Sequence, residues 1–369
     1  MILYSLVAVL AAGLTLPVDN HYENKGFLYT RQQVLNRLCL VSVFLLLFLV
    51  SALRLNVGND YAKYVEFMHL IRCDAVVPTE FGFNWVVKIL YGISGFENYL
   101  LVFAVFAFAT IYLFLKAIYQ QADSFPFSFF LFMALGYYFQ TFNTVRYYLA
   151  LAIALFAIPY VLRKEWGKFI LLILLGATMH KSLLVVIPLY FLASRCWKKW
   201  QLVLAALFCS TFFFLQDFYL KLVVFLYPTY EDTEYLEGGT SMINILRCAA
   251  VLVLALLCYK KCVKENIRNR FYFYCNLGAL VMYVCCSFLP IISRIGYYLT
   301  ITHIFFLPAL VNGIENEKLK KLCRAGVILA GIVYFAVFIL MKAGERGLRI
   351  LPYQTFLFHE MVPILSDVT

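Results

Sequence analysis

The chain has 369 residues, of which 64% are hydrophobic and only 14% charged, with a mean hydropathy of +0.83 and a net charge of +11. Soluble domains carry about 25% charged residues, so the composition excludes an ordinary soluble protein and indicates a polytopic membrane protein. The eleven cysteines include no CxxC pair and no cysteine–histidine spacing typical of zinc. We interpret them as small buried hydrophobic residues.

Apolar runs recur along the whole chain. A helical span of a bilayer needs about 20 residues, and several of these runs are short enough to be half-spans. The sequence predicts an all-α, polytopic integral membrane helical bundle with about 10–12 transmembrane helices. We expect a single transmembrane domain over residues 1–369, with extracytoplasmic segments 54–97 and 217–240. The runs lie near 2–17, 38–53, 98–116, 127–141, 145–162, 167–179, 182–194, 200–216, 241–259, 271–290, 295–312 and 325–341.

The distribution of charge predicts the orientation. Every second inter-span segment is basic, and together these segments hold nineteen Lys and Arg against seven Asp and Glu, a net charge of +12. The rest of the chain holds twelve against thirteen, a net charge of −1. The positive-inside rule then places the basic set in the cytoplasm and the N-terminus outside. Insertion and anionic lipids therefore explain the basic excess, and no nucleic-acid partner is predicted. The basic segments are 17–37, 116–126, 163–168, 195–199, 260–270 and 315–324.

The stretch FNTVRYYLALAIALF places Arg146 at the start of a long apolar helix, where it shares a helical face with Asn143. Arg146 is the one charged residue in 127–162. A snorkelling arginine is the simple alternative. The guanidinium is also a planar fork suited to phosphate oxygens, which favours anion binding at this position.

Similar residues recur at the predicted outer edge. In SRIGYYL, Arg294 shares a helical face with Tyr297 and Tyr298, and the alternative there is an aromatic belt beside a snorkelling arginine. In RLNVGNDY, a turn would let both Arg54 and Asp60 project away from the helix axis and take part in a site. A plain salt bridge between the two side chains is an equally good interpretation.

Two further candidates for acid–base chemistry lie at the same edge. Glu80 lies in TEFGF, where Gly82 allows a close backbone approach. His180 lies in GATMHKSLL between two short apolar runs. A structural, hydrogen-bonded histidine is the usual alternative, although the ordinary pKa of histidine near 6.5 suits a general base.

Together these residues predict chemistry on a lipid diphosphate donor. Arginines would bind the diphosphate and stabilise the charge that develops as it leaves. A histidine or carboxylate would take the proton of an attacking hydroxyl. No metal or phosphate-loop motif is present, so we expect no metal and no cofactor. His180 is the first candidate for the base, and Asp60 and Glu80 are reserve candidates, which the sequence does not rank. The candidate diphosphate-binding residues are Arg54, Asn143, Arg146, Arg294, Tyr297 and Tyr298.

These motifs, in this order, resemble the EpsG family of Wzy-like polymerases of bacterial exopolysaccharides and capsules. The resemblance runs from about residue 30 to residue 355. The residues that carry it are Arg54, Gly58, Asp60 and Tyr64 in RLNVGNDYAKY, Glu80 and Gly82 in TEFGF, Asn143 and Arg146 in FNTVRYYLA, His180 and Ser182 in MHKS, Arg294 and Tyr297 in SRIGYY, and Pro352 and Tyr353 in PY.

The resemblance implies a Wzy/O-antigen ligase, GT-C-like architecture in the bacterial cytoplasmic (inner) membrane, with the active site facing outward. It implies a metal-independent glycosyltransferase that joins undecaprenyl-diphosphate-linked glycan repeat units. A single displacement would invert the anomeric centre. The lipid bilayer and these glycans are the expected partners, together with a chain-length regulator and a flippase of the same pathway.

Two other classes of protein remain as alternatives. A transporter or flippase of lipid-linked sugars would place ionisable groups near the membrane midplane on broken helices, whereas the candidates here lie at one edge. A membrane acyltransferase would also use a histidine, but it would need its catalytic groups on the cytoplasmic side.

Overall fold

The computed structural model describes residues 1–22, 30–226, 242–289, 292–344 and 347–359. These residues form helices, and the one β contact among them is an isolated bridge between Arg54 and Thr355. The predicted all-α class is confirmed. The α-helices are α1 (Ile2–Thr15), α2 (Arg31–Ala52), α3 (Tyr61–Arg72), α4 (Phe81–Ser94), α5 (Tyr99–Gln121), α6 (Phe125–Ala134), α7 (Tyr137–Gln140), α8 (Val145–Leu162), α9 (Trp166–Ala177), α10 (Val186–Ala193), α11 (Lys199–Phe214), α12 (Gln216–Leu226), α13 (Met242–Leu257), α14 (Ile267–Cys285), α15 (Ile292–Thr300), α16 (His303–Asn312) and α17 (Glu317–Val337).

Polar capping residues explain where several helices begin. Thr30 and Gln33 form a capping box, so α2 begins well before the apolar run predicted at 38–53. The Asn98 side chain accepts a hydrogen bond from the Leu101 backbone N–H at 3.0 Å and caps α5. Helix α2 therefore extends beyond the apolar run from which it was predicted, whereas α5 begins within one residue of its predicted start.

Five helical segments of the described chain are long and apolar enough to cross a membrane. They are α2, α5, α8, the consecutive pair α15–α16, and α17 with its π-helical extension Phe338–Lys342. Shorter apolar helices, among them α1, α6 and α13, overlap other predicted runs. The protein is therefore a multi-pass helical membrane protein.

Two predicted spans are interrupted. The run at 127–141 divides into α6 and α7 at Gly136, which has a φ of +75°. A Cβ at Gly136 would lie 3.3 Å from the ring of Phe338, so glycine also permits close packing there. The run at 295–312 divides into α15 and α16 at residues 301–302. Hydropathy alone does not reveal such breaks, because the helices on both sides of each break are apolar.

The two predicted extracytoplasmic segments contain helices. Segment 54–97 holds α3 and α4. Helix α4 is apolar on both faces, since Phe83 and Val87 are buried while Trp85 and Ile89 are exposed. Segment 217–240 begins within α12, and its acidic part lies among residues 227–241, outside the described residues. The extracytoplasmic location of both segments stays a prediction.

The chain divides into two compact units. In the first, α2 packs against α1 and α5, and α6 packs against α1, α5 and α17. In the second, α14 is central and packs against α10, α11, α13, α15 and α16. The expectation of one transmembrane domain over 1–369 stays a prediction. The first unit comprises Met1–Ala157, Ile170–Leu184 and Glu317–Thr369, and the second comprises Ile158–Phe169 and Val185–Asn316.

One end of the first unit, which we call the site end, collects the end of α2 and the beginnings of α5 and α8. The guanidinium of Arg54, just after α2, lies 5.0 Å from the ring centroid of Phe103 in α5 and 5.4 Å from that of Phe142 before α8. At the opposite end, the Asn20 side chain donates to the Ala122 carbonyl after α5 at 2.7 Å. Side-chain contacts between the segments that flank these helices thus define both ends of the unit.

Residues 347–359, which we call the C-terminal strap, cover part of the site end. The Leu55 N–H donates to the Gln354 carbonyl at 3.0 Å, and the Gly58 N–H donates to the Arg349 carbonyl at 2.8 Å. The strap therefore fixes the loop between α2 and α3, which leads to Asp60.

Candidate functional site

Glu80, Arg146 and His180 come from distant parts of the sequence and lie together at the site end; we call them the Glu80 cluster. Arg146 Nη1 donates to Glu80 Oε2 in a close ion pair. The Lys181 backbone N–H donates to Glu80 Oε1 at 2.9 Å, and His180 Nδ1 lies 4.0 Å from the same oxygen. The three side chains are 16%, 13% and 15% exposed, respectively. The cluster is thus a mostly enclosed polar site.

A close approach of two backbones positions Glu80. Glu80 is the N-cap residue of α4, and the Gly82 N–H in the first turn donates to the Thr178 carbonyl at 3.0 Å. A Cβ at Gly82 would lie 2.7 Å from that carbonyl oxygen and 2.4 Å from Thr178 Oγ1. Only glycine fits this contact, which brings the Glu80 carboxylate to the residues that follow α9.

Aromatic rings hold the Arg146 guanidinium. Its central carbon lies 5.2 Å from the ring centroid of Phe83 and 5.6 Å from that of Tyr64. Burial raises the pKa of Tyr64, and the nearby Arg146 charge partly opposes that rise. Arg146 Nε is buried and has no hydrogen-bond acceptor among the described residues. A guanidinium held by one carboxylate and two rings is oriented, yet it keeps donors beyond those that Glu80 uses.

His180 is held in a defined orientation. The Ser182 backbone N–H donates to His180 Nδ1 at 3.3 Å, and the Tyr147 ring packs edge-on at 5.7 Å between centroids. The Glu80 carboxylate, 4.0 Å from Nδ1, would stabilise the cation that forms when His180 takes up a proton.

Asp60 and Asn143 meet beside α8. The Asp60 backbone N–H donates to Asn143 Oδ1 at 3.1 Å. Gly58, with a φ of +109°, makes this possible, because a Cβ there would lie 2.5 Å from the Phe142 carbonyl oxygen. Since Asn143 precedes Arg146 by three residues, Asp60 is held at the start of the helix that carries the arginine.

Arg54 has a different environment from the one expected for a diphosphate-binding residue. It is 1% exposed, and its Nη1 donates to the carbonyl and, at 3.1 Å, to the hydroxyl of Ser51. It makes no ion pair with Asp60 or with any other described carboxylate. This burial favours a structural role for Arg54, in which its guanidinium joins α2 to the aromatic rings around it.

Arg294, Tyr297 and Tyr298 all lie in the second unit, on α15 as predicted. Arg294 and Tyr297 are half-buried. Tyr298 is fully buried, and its carbonyl accepts a hydrogen bond from the Tyr190 hydroxyl at 2.9 Å. Burial favours a packing role for Tyr298, and the expectation that Arg294 binds diphosphate stays a prediction.

Some features of the site were not visible in the sequence. No acidic residue near Arg146 in the chain signals an ion pair, and its partner Glu80 lies 66 residues away. The sequence does not distinguish Phe83 from the other apolar residues, although its place three residues after Glu80 puts it at the same end of α4. The described residues contain no group of three or more His, Cys, Asp and Glu side chains able to hold a metal ion.

Comparison with known families agrees with the motifs that form this site. The model of the EpsG family matches residues 37–355, which include every residue of the Glu80 cluster. The chain belongs to the EpsG family. The resemblance seen in the motifs is therefore confirmed, and membership of EpsG indicates a Wzy-like polysaccharide polymerase. No curated protein and no solved structure matches the chain.

Proposed function

We propose that this EpsG protein polymerises undecaprenyl-diphosphate-linked oligosaccharide repeat units into exopolysaccharide or capsule at the outer leaflet of the bacterial cytoplasmic membrane. One observation carries the proposal: the Arg146–Glu80 pair beside His180, enclosed at one end of a helical membrane unit. The charge distribution of the sequence predicts that this end faces outward. Lipid-linked repeat units would reach it after they have been flipped.

Arg146 is the proposed ligand of the diphosphate. Its guanidinium is oriented by Glu80 and by the rings of Phe83 and Tyr64 before any substrate arrives. Donors that are already oriented stabilise developing charge without reorganising, and an enclosed site strengthens the interaction. The negative charge that builds on the departing diphosphate would therefore be stabilised by Arg146.

The transfer itself is a single displacement. The base removes the proton of an acceptor sugar hydroxyl, and the hydroxyl oxygen forms a bond to the anomeric carbon of the donor. The bond from that carbon to the diphosphate oxygen breaks, and undecaprenyl diphosphate leaves with the electron pair. The anomeric centre is inverted, and no cofactor takes part.

The environment of each candidate base suggests its role. Glu80 already accepts hydrogen bonds from Arg146 and Lys181, so we assign it to orienting the cluster. His180 is the first candidate for the base because the Glu80 carboxylate, 4.0 Å from Nδ1, would stabilise the protonated ring. Asp60, held by Asn143, is the second candidate.

A lipid-linked sugar flippase is the second candidate function, and it is supported by a different place in the chain. In the second unit, the break between α15 and α16 lies beside a fully buried His303, whose Nε2 is 2.8 Å from Asn276 Oδ1. His303 Nδ1 has no partner within the described residues. Buried ionisable groups at broken helices are typical of transporters.

Purified protein in proteoliposomes, supplied with lipid-linked repeat units, tests the proposal. We expect a ladder of polymer together with released undecaprenyl diphosphate. Arg146→Lys should lower the rate by about 10²–10³-fold, because a point charge does not replace the oriented fork. Arg163→Lys is the matched control, because Arg163 follows the last residue of α8 at the end away from Arg146, and this variant should retain activity. Movement of labelled lipid-linked sugar across the bilayer without polymer formation would instead favour the flippase.

A further inference from the structure

A cavity of about 210 Å³ lies at the site end between the C-terminal strap and the loop that follows α2. Polar side chains of Asn56, Arg349 and Gln354 line it together with the apolar Leu351 and Pro352. The Glu80 cluster contributes none of these residues, and the proposed transfer step does not use them. The cavity is therefore separate from the Glu80 cluster.

The backbone around the cavity adopts an uncommon conformation. Asn56 has a φ of +52° and Arg349 a φ of +49°, and Arg349 Nη2 donates to Asn56 Oδ1 at 2.5 Å. Left-handed backbone is uncommon for residues other than glycine, and such outliers cluster at binding sites. Two of them, facing each other, hold an amide and a guanidinium in fixed positions.

The lining suits a sugar ring. Asn56 and Gln354 each offer an amide donor and acceptor, and Arg349 keeps donors beyond the one that Asn56 uses. Leu351 and Pro352 provide an apolar surface for the C–H face of a pyranose. Pockets of this kind combine an apolar wall with a few placed polar groups that fix the orientation of a ligand. The volume is on the scale of one monosaccharide.

The cavity is also close to the proposed chemistry along the chain. Asn56 and Asp60 are four residues apart, which spans at most about 14 Å, and Asp60 is bonded to Asn143 at the start of the Arg146 helix. We propose that the cavity binds one sugar residue of the acceptor glycan and so presents its hydroxyl to the transfer site. This inference rests on the proposed polymerase function, to which it adds a subsite for the acceptor.

Binding of a lipid-free oligosaccharide, released by mild acid from the cell's own lipid-linked intermediates, tests the subsite. Saturation-transfer NMR with the full-length protein in detergent should show one sugar in close contact. Asn56→Gly keeps the left-handed backbone and removes the amide, and Gln354→Met keeps the length of the side chain. Each should weaken binding about tenfold or more, because a site built to bond hydroxyls loses affinity when its partner is missing. Lys342→Gln, which changes a nearby exposed cation, is the control and should bind normally.

The possible results separate the two proposals. Normal binding by both cavity variants, or no binding by the wild-type protein, overturns the acceptor subsite. If binding depends on the cavity but the wild-type protein forms no polymer in proteoliposomes, the sugar site stands and the polymerase proposal fails. If the wild-type protein forms polymer but both cavity variants bind the oligosaccharide normally, the polymerase proposal stands and the acceptor subsite fails.

Discussion

Gly82 lies against Thr178 so closely that a single added carbon would be 2.7 Å from the Thr178 carbonyl oxygen. The carbonyl belongs to the backbone and has no rotamer by which to move away. The contact therefore joins the first turn of α4, which carries Glu80, to the segment that carries His180.

We expect Gly82→Ala to leave a folded protein with polymerase activity reduced by about 10²-fold, because a displacement of about 1 Å in a catalytic group has that effect. Gly92→Ala, in the same helix, is the control, since nothing lies within 4 Å of a Cβ there. Alanine at that helix-interior position should raise stability by about 0.5–1 kcal/mol. Polymer assays and thermal denaturation of both variants in detergent check this prediction, and full activity of Gly82→Ala would contradict it.

Exchange of the charges of Glu80 and Arg146 separates folding from catalysis. Removing either partner should destabilise the protein by about 3–5 kcal/mol, because the remaining charge is largely buried and unpaired. The double variant Glu80→Arg/Arg146→Glu should recover thermal stability without recovering polymer formation, since Arg146 would no longer face the diphosphate. Polymerisation at the wild-type rate by the double variant would show that the pair is structural only. Changes to the exposed Glu165–Lys168 pair should affect neither thermal stability nor polymer formation.

The base is tested by three variants of similar shape, His180→Gln, Asp60→Asn and Glu80→Gln. General base assistance contributes about 10²–10⁴-fold, so we expect His180→Gln to fold and to lose activity by that factor. The rate of polymer formation from lipid-linked repeat units is the measurement. If His180→Gln is fully active while Asp60→Asn is inactive, the base is Asp60 and the reaction does not require His180.

Two native cysteines report the orientation. Cys73 and Cys196 are both exposed, and they lie in segments predicted on opposite sides of the membrane. In single-cysteine variants on intact cells, a membrane-impermeant maleimide should label Cys73 and not Cys196. Labelling of Cys196 alone would reverse the predicted topology. Permeabilised cells, in which both should react, control for accessibility.

The residue types of the site could be predicted from the sequence, but their pairing could not. Charged residues are rare in this chain, so Glu80, Arg146 and His180 stood out against apolar helices. Their contacts depend on how α4, α8 and the end of α9 pack, which no local pattern records.

Two arginines show clearly that the sequence does not reveal the surroundings of a side chain. Arg54 and Arg146 look alike in sequence, since each lies at the edge of an apolar run. In the structure, the first is 1% exposed beneath aromatic rings, whereas the second forms an ion pair in the candidate site. The difference arises from side-chain packing after the helices have assembled. The sequence does not reveal the cavity at Arg349 for the same reason, since the partner of Arg349, Asn56, lies 293 residues away.

The strap has a consequence for the order in which the protein matures. The loop that leads to Asp60 is bonded to residues 348–356, so it cannot reach its final arrangement until the chain as far as Phe356 has left the ribosome. The helices as far as α9 can be synthesised long before that moment. A nascent chain that already contains every residue of the Glu80 cluster would still lack the hydrogen bonds from the strap to the loop before Asp60. The enzyme would therefore become active only late in its own synthesis.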